Sequence, residues 1–232
     1  MSVYDRIVGR AMSQFSLGQK AFGMRRGDKK KVEVMFKPHI TVSRDPGSGG
    51  RPIAKMVSRK LGFEFYNKKL LREIARSAKK RKEVVMAVDE KGRGAMSDFV
   101  HNIFNPEYVD DLTYMNHLCR VILSLAYKGK AVILGRGGNF ITPGTRGLHI
   151  RITAPYDVRV QRSIQYEEVS RDRAKEIIKR VDKDRKDFVS QYFSKNITNP
   201  DYYDFVLNTE FMSLEEARDI IICAFKQKFP KF

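Results

Sequence analysis

The strongest constraint on this chain is the run His39-Ile40-Thr41-Val42-Ser43-Arg44-Asp45-Pro46-Gly47-Ser48-Gly49-Gly50-Arg51-Pro52-Ile53-Ala54. It reads as a short apolar strand, a glycine-rich turn and a helix over residues 52–61. Three glycines and a serine in four positions let backbone N–H groups converge on one point. The following helix aims its positive dipole end at the same point. Pro52 suits a first helical turn, where its missing N–H would have no intrahelical partner anyway. Such a turn cradles phosphate, so the leading expectation is a nucleotide-binding α/β protein. A plain strand–turn–helix corner is the alternative.

The turn departs from the common phosphate-loop pattern G-x-x-x-x-G-K-[ST]. With that pattern laid on Gly50-Arg51-Pro52, Asp45 stands where the first glycine belongs, Arg51 replaces the lysine and Pro52 the hydroxyl. Arg51 can still grip phosphate, and bidentately. Pro52 offers no oxygen to Mg²⁺.

From Pro38 onward short apolar stretches alternate with helical patterns. Strands are expected at residues 39–43, 63–66, 131–134, 148–153 and 203–208. Helices are expected at 68–80, 96–104, 108–128, 157–166 and 171–193. Ser213-Leu214-Glu215-Glu216 reads as a capping box opening a C-terminal helix. This order predicts a parallel sheet flanked by helices on both sides. Ligands of such folds bind beyond the carboxyl ends of the strands, where the glycine turn lies.

Residues 1–36 read as a separate basic extension. Val3, Ile7, Val8, Ala11, Met12 and Phe15 share one helical face, and Arg25 to Lys31 form a basic linker. A helix docked on the domain is favoured over a partner-binding arm or a membrane-surface helix, whose polar face would be more basic. Residues 37–232 are expected to form one domain, in keeping with a length of 232 residues. No apolar run approaches the roughly 20 residues that span a bilayer, and the N-terminus lacks the apolar core of a signal peptide. Cys119 and Cys223 sit in apolar helical patterns, so the expectation is two buried free thiols and a cytoplasmic protein. The four histidines show no ligand spacing, and no metal-ligating residue is assigned.

A net charge of +18 draws polyanions at low salt. Nucleotides, nucleic acid and a merely solvated basic surface all accord with it. Without an RNA-reading aromatic motif or a helix-turn-helix signal, nucleic acid stays open but is not favoured. Oligomeric state is left open.

Two further constellations bear on chemistry. Gly135-Arg136-Gly137-Gly138-Asn139 follows the strand at 131–134 and so lies at the same sheet edge as the first turn. Two such loops suit two phosphate-bearing groups facing each other; a simple glycine turn is the alternative. Residues 157–187 hold Arg159, Arg162, Arg171, Arg173, Arg180 and Arg185, interleaved with Asp172, Asp182, Asp184 and Asp187. Arg180 and Asp184 are four apart and can pair on one helical face. A helical lid bearing arginines is what phosphoryl transfer asks for; an ion-paired surface helix is the blander reading.

In this order the pieces resemble nucleoside monophosphate kinases, most closely the cytidylate kinase-like family, from about residue 40 to 229. The resemblance is carried by Ser43 to Arg51, by Tyr66-Asn67-Lys68-Lys69-Leu70-Leu71-Arg72, by Gly135-Arg136-Gly137-Gly138-Asn139-Phe140, and by Val181-Asp182-Lys183-Asp184-Arg185 with the later Tyr202 to Thr209. It implies a P-loop, nucleoside-monophosphate-kinase-like α/β fold with a helical lid over about 157–195. It implies ATP as donor, with Mg²⁺, and its phosphates on Gly47, Ser48, Gly49, Gly50 and Arg51. Asn67, Arg72, Arg136, Arg180 and Asp184 would meet the acceptor nucleotide, CMP or dCMP foremost. Arg159, Arg162 and Arg171 would bridge donor and acceptor and, with Arg51, stabilise the transferring group. Relative to well-studied cytidylate kinases, Arg51, Pro52, Leu134 and Gly137 replace the lysine, the hydroxyl and two aspartates. The arginine in the glycine loop is shared with the cytidylate kinase-like subgroup. A non-catalytic nucleotide-binding regulator and a kinase-derived RNA-associated protein are the other readings.

Overall fold

Five strands form one parallel sheet in the computed structural model, which describes residues 36–69, 71 and 112–232. They are β1 His39–Arg44, β2 Glu64–Tyr66, β3 Ala131–Leu134, β4 Gly147–Thr153 and β5 Phe205–Asn208, in the spatial order β2-β3-β1-β4-β5. The chain leaves β1 toward β2 and β3 on one side and returns to β4 and β5 on the other. The turn after β1 therefore emerges at the switch point of the sheet, where this architecture opens a crevice. Residues 1–35 of the extension expected at 1–36, Arg72, the expected helix at 96–104, the start of that at 108–128 and most of that at 68–80 lie outside the described residues.

The helices are α1 Gly50–Leu61, α2 Leu112–Lys128, α3 Gly138–Ile141, α4 Tyr156–Glu167, α5 Arg171–Phe193 and α6 Leu214–Lys228. Helix α1 starts two residues before Pro52, which occupies its first turn. Gly62 ends it in the left-handed conformation, and Phe63 N–H returns to Ser58 O at 2.7 Å. The expected capping box forms: Ser213 Oγ accepts from Glu216 N–H at 3.1 Å, and Glu216 Oε2 accepts from Ser213 N–H at 2.7 Å.

Side chains of a strand alternate between faces, and that alternation splits the core. Ile40, Val42, Val132, Leu134, Ile150 and Ile152 pack against Ile53 and Val57 of α1 and Ile221 and Phe225 of α6. Ala131 and Ile133 point the other way, into Leu118, Ile122 and Leu125 of α2. Each large side chain so buried contributes about 1.5–3 kcal/mol. On that second face β1 and β4 carry buried polar residues instead: Thr41, Ser43, His149 and Arg151.

Two expectations are corrected. Strand β5 starts at Phe205 rather than 203, because residues 200–202 form a 3₁₀ turn, closed by Tyr203 N–H on Pro200 O at 3.0 Å. Cys119 is buried, but Cys223 is exposed: α6 turns Ile221, Ile222 and Phe225 inward, and the helical step carries Cys223 outward. Among the described residues no helix is long and apolar enough to cross a membrane.

Candidate functional site

The glycine turn is held from three sides. Ser48 Oγ donates to Asp45 O at 2.8 Å and closes the turn on itself. Buried Thr209, just after β5, donates its hydroxyl to Ser48 O at 2.9 Å. The Asp45 carboxylate accepts from Arg151 Nη2 and from Thr153 Oγ1, each at 2.6 Å. The residue standing in for the first glycine thus ties the turn to β4. Gly47 lies at φ +75°, and a Cβ there would come within 2.5 Å of Arg159 O, so glycine lets α4 close onto the turn.

The N-terminus of α1 opens into a cavity of about 850 Å³. Gly47, Gly49, Gly50 and Arg51 line one side, and Arg162, Tyr166, Met212 and Leu214 line others. Its volume falls within the range of small-molecule sites. Unpaired α1 N–H groups and the helix dipole favour an anion there.

A smaller cavity, of about 130 Å³, adjoins it under the second glycine loop. Arg136, at φ +57°, stacks its guanidinium 5.0 Å from the centre of the Phe188 ring. Lys68, Asn139 and Asp184 complete the polar lining. Arg44, Val181 and Arg185 line both cavities. Arg185 Nη1 donates to Arg44 O at 2.5 Å. Burial, and then repulsion from Arg185, Arg136 and Arg51, lowers the Arg44 guanidinium to about 9. Burial lowers Arg185 as well, opposed by Asp182 and Asp45.

The structure brings Gly47, Gly49, Gly50, Arg51 and Arg162 to the larger cavity, with Ser48 buried behind them. It brings Arg136 and Asp184 to the smaller one. Asn67 precedes Lys68 and caps the next segment, its carbonyl accepting from Leu71 N–H at 3.0 Å. Arg159 is turned aside, donating to Asp182 Oδ2 at 2.8 Å with its Nε buried and without a hydrogen bond. Arg162 is braced by Thr209, through Oγ1 at 2.8 Å and O at 2.7 Å. Arg171 and Arg180 are exposed on α5 and line neither cavity. Arg180 and Asp184 form no ion pair: both are exposed, and of the two only Asp184 lines the smaller cavity.

Two residues at the meeting of the cavities, Arg44 and Arg185, escaped assignment from sequence. Arg185 had a signal: Val181, Asp184, Arg185 and Phe188 follow the i, i+3, i+4, i+7 rule of one helix face, and the apolar pair marks that face as inward. Arg44 is a charged residue closing an apolar strand at the ligand-binding edge.

The described residues do not make a protein-built Mg²⁺ site. Asp45 is held by Arg151 and Thr153, Asp182 by Arg159, and the Ser48 hydroxyl by Asp45 O. Among the described residues no three His, Cys, Asp or Glu side chains cluster to hold a metal. Mg²⁺ arriving with a nucleotide would keep mostly phosphate and water oxygens, which it accepts readily.

The sequence profile of the Cytidylate kinase-like family matches residues 39–211. The chain is 27% identical over 190 residues to a cytidylate kinase of Sulfolobus acidocaldarius, covering 82% of this chain and 94% of that one. It is 28% identical over 194 residues to a cytidylate kinase of Staphylothermus marinus, covering 83% and 98%. An uncharacterised protein from Eubacterium ventriosum shares the fold, with a TM-score of 0.64, 23% identity and coverage of 82% and 99%.

Proposed function

The chain belongs to the cytidylate kinase-like family, and on that premise we propose that it moves the γ-phosphoryl group of ATP to a nucleoside monophosphate, CMP or dCMP foremost, to give the diphosphate. The observation that carries this reading is the pair of adjoining cavities, one at a helix N-terminus and one under Arg136, with Arg44 and Arg185 common to both. Two phosphate-bearing substrates seated in them would meet at those arginines.

In this reading the triphosphate lies on the turn Gly47–Gly50 against the α1 dipole, gripped by Arg51. The donor base lies toward Tyr166, Met212 and Leu214. The acceptor phosphate lies on Arg136, and Asp184 faces the acceptor sugar. An acceptor phosphate oxygen attacks the γ-phosphorus in line. A new P–O bond forms, the bond from the γ-phosphorus to the bridging oxygen breaks, and ADP leaves with that electron pair. The acceptor is already mostly ionised near neutral pH, so no general base is needed. Catalysis then rests on positioning and on cations placed where charge moves. Arg162 is at hand. Arg159 joins by exchanging Asp182 for phosphate, and Arg171 by an inward swing of the lid, a closure that would also expel water. The buried free thiol of Cys119 accords with a cytoplasmic setting.

The test is an ADP-release assay with Mg-ATP against CMP, dCMP, UMP, AMP and GMP, with the diphosphate identified. Product from CMP or dCMP is expected. Product from another monophosphate alone would keep the mechanism and change the acceptor. A nucleotide-binding regulator without turnover is the second reading, favoured by the engagement of Asp45 and Asp182 with arginines. Folded protein that binds ATP yet forms no diphosphate from any acceptor would select it.

A further inference from the structure

We propose that Arg44 is a catalytic residue whose guanidinium holds the phosphoryl group in transit at the seam of the two cavities, in place of the lysine the glycine turn lacks. The inference rests on the kinase reading above. Its first support is position. Arg44 ends β1 and lines both cavities, whereas Arg51 is exposed on the first turn of α1 and lines only the larger.

Both glycine loops make room for this one side chain. A Cβ at Gly50 would lie 2.5 Å from Arg44 Cβ. A Cβ at Gly135, in the second loop at φ +78°, would collide with Arg44 Nη1. Arg185 fixes the backbone beneath, donating to Arg44 O at 2.5 Å. A side chain threaded between two phosphate-type loops is set up to touch what both of them hold.

The charge around Arg44 is also unbalanced. Arg44 forms no ion pair among the described residues, and Arg185, Arg136 and Arg51 repel it. Asp45 and Asp182 are committed to Arg151 and Arg159, and Asp184, which lines the smaller cavity, is exposed and forms no ion pair with Arg44. Crowding guanidinium groups in a half-buried cleft opposes folding, and such arrangements gather where an anion is received. The γ-phosphoryl group gathers charge on its peripheral oxygens as it moves from the bridging oxygen of ADP to the acceptor oxygen. A guanidinium at the seam would meet those oxygens throughout the transfer.

The experiment compares wild type with Arg44→Gln and Arg44→Lys in steady-state kinetics and in thermal melts with and without inorganic tripolyphosphate. Arg44→Gln should lose about 100-fold or more in kcat while KM for ATP and the acceptor changes by less than about threefold, and Arg44→Lys should recover part of the loss. Without anion, Arg44→Gln should melt no lower than wild type, since it removes a crowded charge, and tripolyphosphate should raise its melting temperature less. Turnover within about threefold of wild type would overturn the role of Arg44 while leaving the kinase reading intact. A variant that melts lower without anion, with an undiminished rise on adding it, would also overturn it by showing a structural role. Wild type that forms no diphosphate from any acceptor would overturn the kinase reading, and the transit role with it.

Discussion

Arg151, in the middle of β4, donates to Asp45 at 2.6 Å, and the two side chains are only 8% and 15% exposed. This pair joins the strand that neighbours β1 to the first residue of the glycine turn. Asp45→Ala would leave the Arg151 guanidinium buried with, among the described residues, only Ile197 O, 3.1 Å from Nη1, as a partner. Removing one member of a buried pair typically costs about 3–5 kcal/mol. We expect a loss near the low end, because Ile197 O remains, read as a lowered urea midpoint with an unchanged slope. The loosened turn should also raise KM for ATP.

Arg51→Ala and Arg136→Ala should each lose turnover, by about 10²–10³-fold, while remaining folded. Arg51 is exposed, and Arg136 rests on the Phe188 ring, so neither is a member of the apolar core. Rates from ADP release, with circular dichroism to verify folding, check this. Full activity in both variants would remove arginine electrostatics at these two positions from the mechanism.

Thr209→Val keeps the shape and deletes the hydroxyl that meets Ser48 O and Arg162 Nη1. Leaving a buried carbonyl with a lost partner costs about 1–3 kcal/mol. A melting temperature lower by several degrees is expected, with KM for ATP rising more than kcat falls, because the turn is held less firmly. An equal effect on KM for the acceptor would place Thr209 elsewhere in the mechanism.

Acid should destabilise the fold earlier than carboxylates alone would require. Burial lowers His39 to about 4, helped by Lys228, and lowers His149 to about 3, helped by His39 and Lys228. His149 Nδ1 shares a hydrogen bond with Thr41 Oγ1 at 2.7 Å. The unfolded chain takes up these protons near 6.5, and the native chain does not. The stabilisation is therefore complete above about 6.5, falls as pH drops, and is lost once pH passes below the folded values near 4 and 3. At about 1.4 kcal/mol per pH unit for each histidine, the effect is several kcal/mol. Urea denaturation at a series of pH values from 7.5 to 4.5 reads it, and equal stability at 7 and 5 would show that both histidines titrate freely.

Much of the fold was legible because its signals are local. The apolar runs at 131–134 and 148–153 and the capping box at Ser213 each decide a few neighbouring torsions, and their elements appear where expected, β4 one residue earlier. Tyr203, which the sequence places in the last strand, is instead held by the preceding loop, its hydroxyl donating to Ile197 O, and β5 starts at Phe205.

For the site, sequence determined the two glycine loops, and with them the edge of the sheet where anions would be received. Chain direction and glycine's torsional freedom settle that much without any partner. Which charges face that edge was decided only in three dimensions. Arg180 and Arg185 are equally basic in sequence, but α5 rests on Val181 and Phe188, and the helical period carries Arg185 inward and leaves Arg180 in solvent. Arg44 and Asp45 are neighbours in the chain, but β4 takes the aspartate into an ion pair, and the arginine is left between two loops whose contacting glycines, Gly50 and Gly135, are 85 residues apart. Periodicity is a property of the chain; the direction of a charged side chain depends on which partners the packed elements bring within reach.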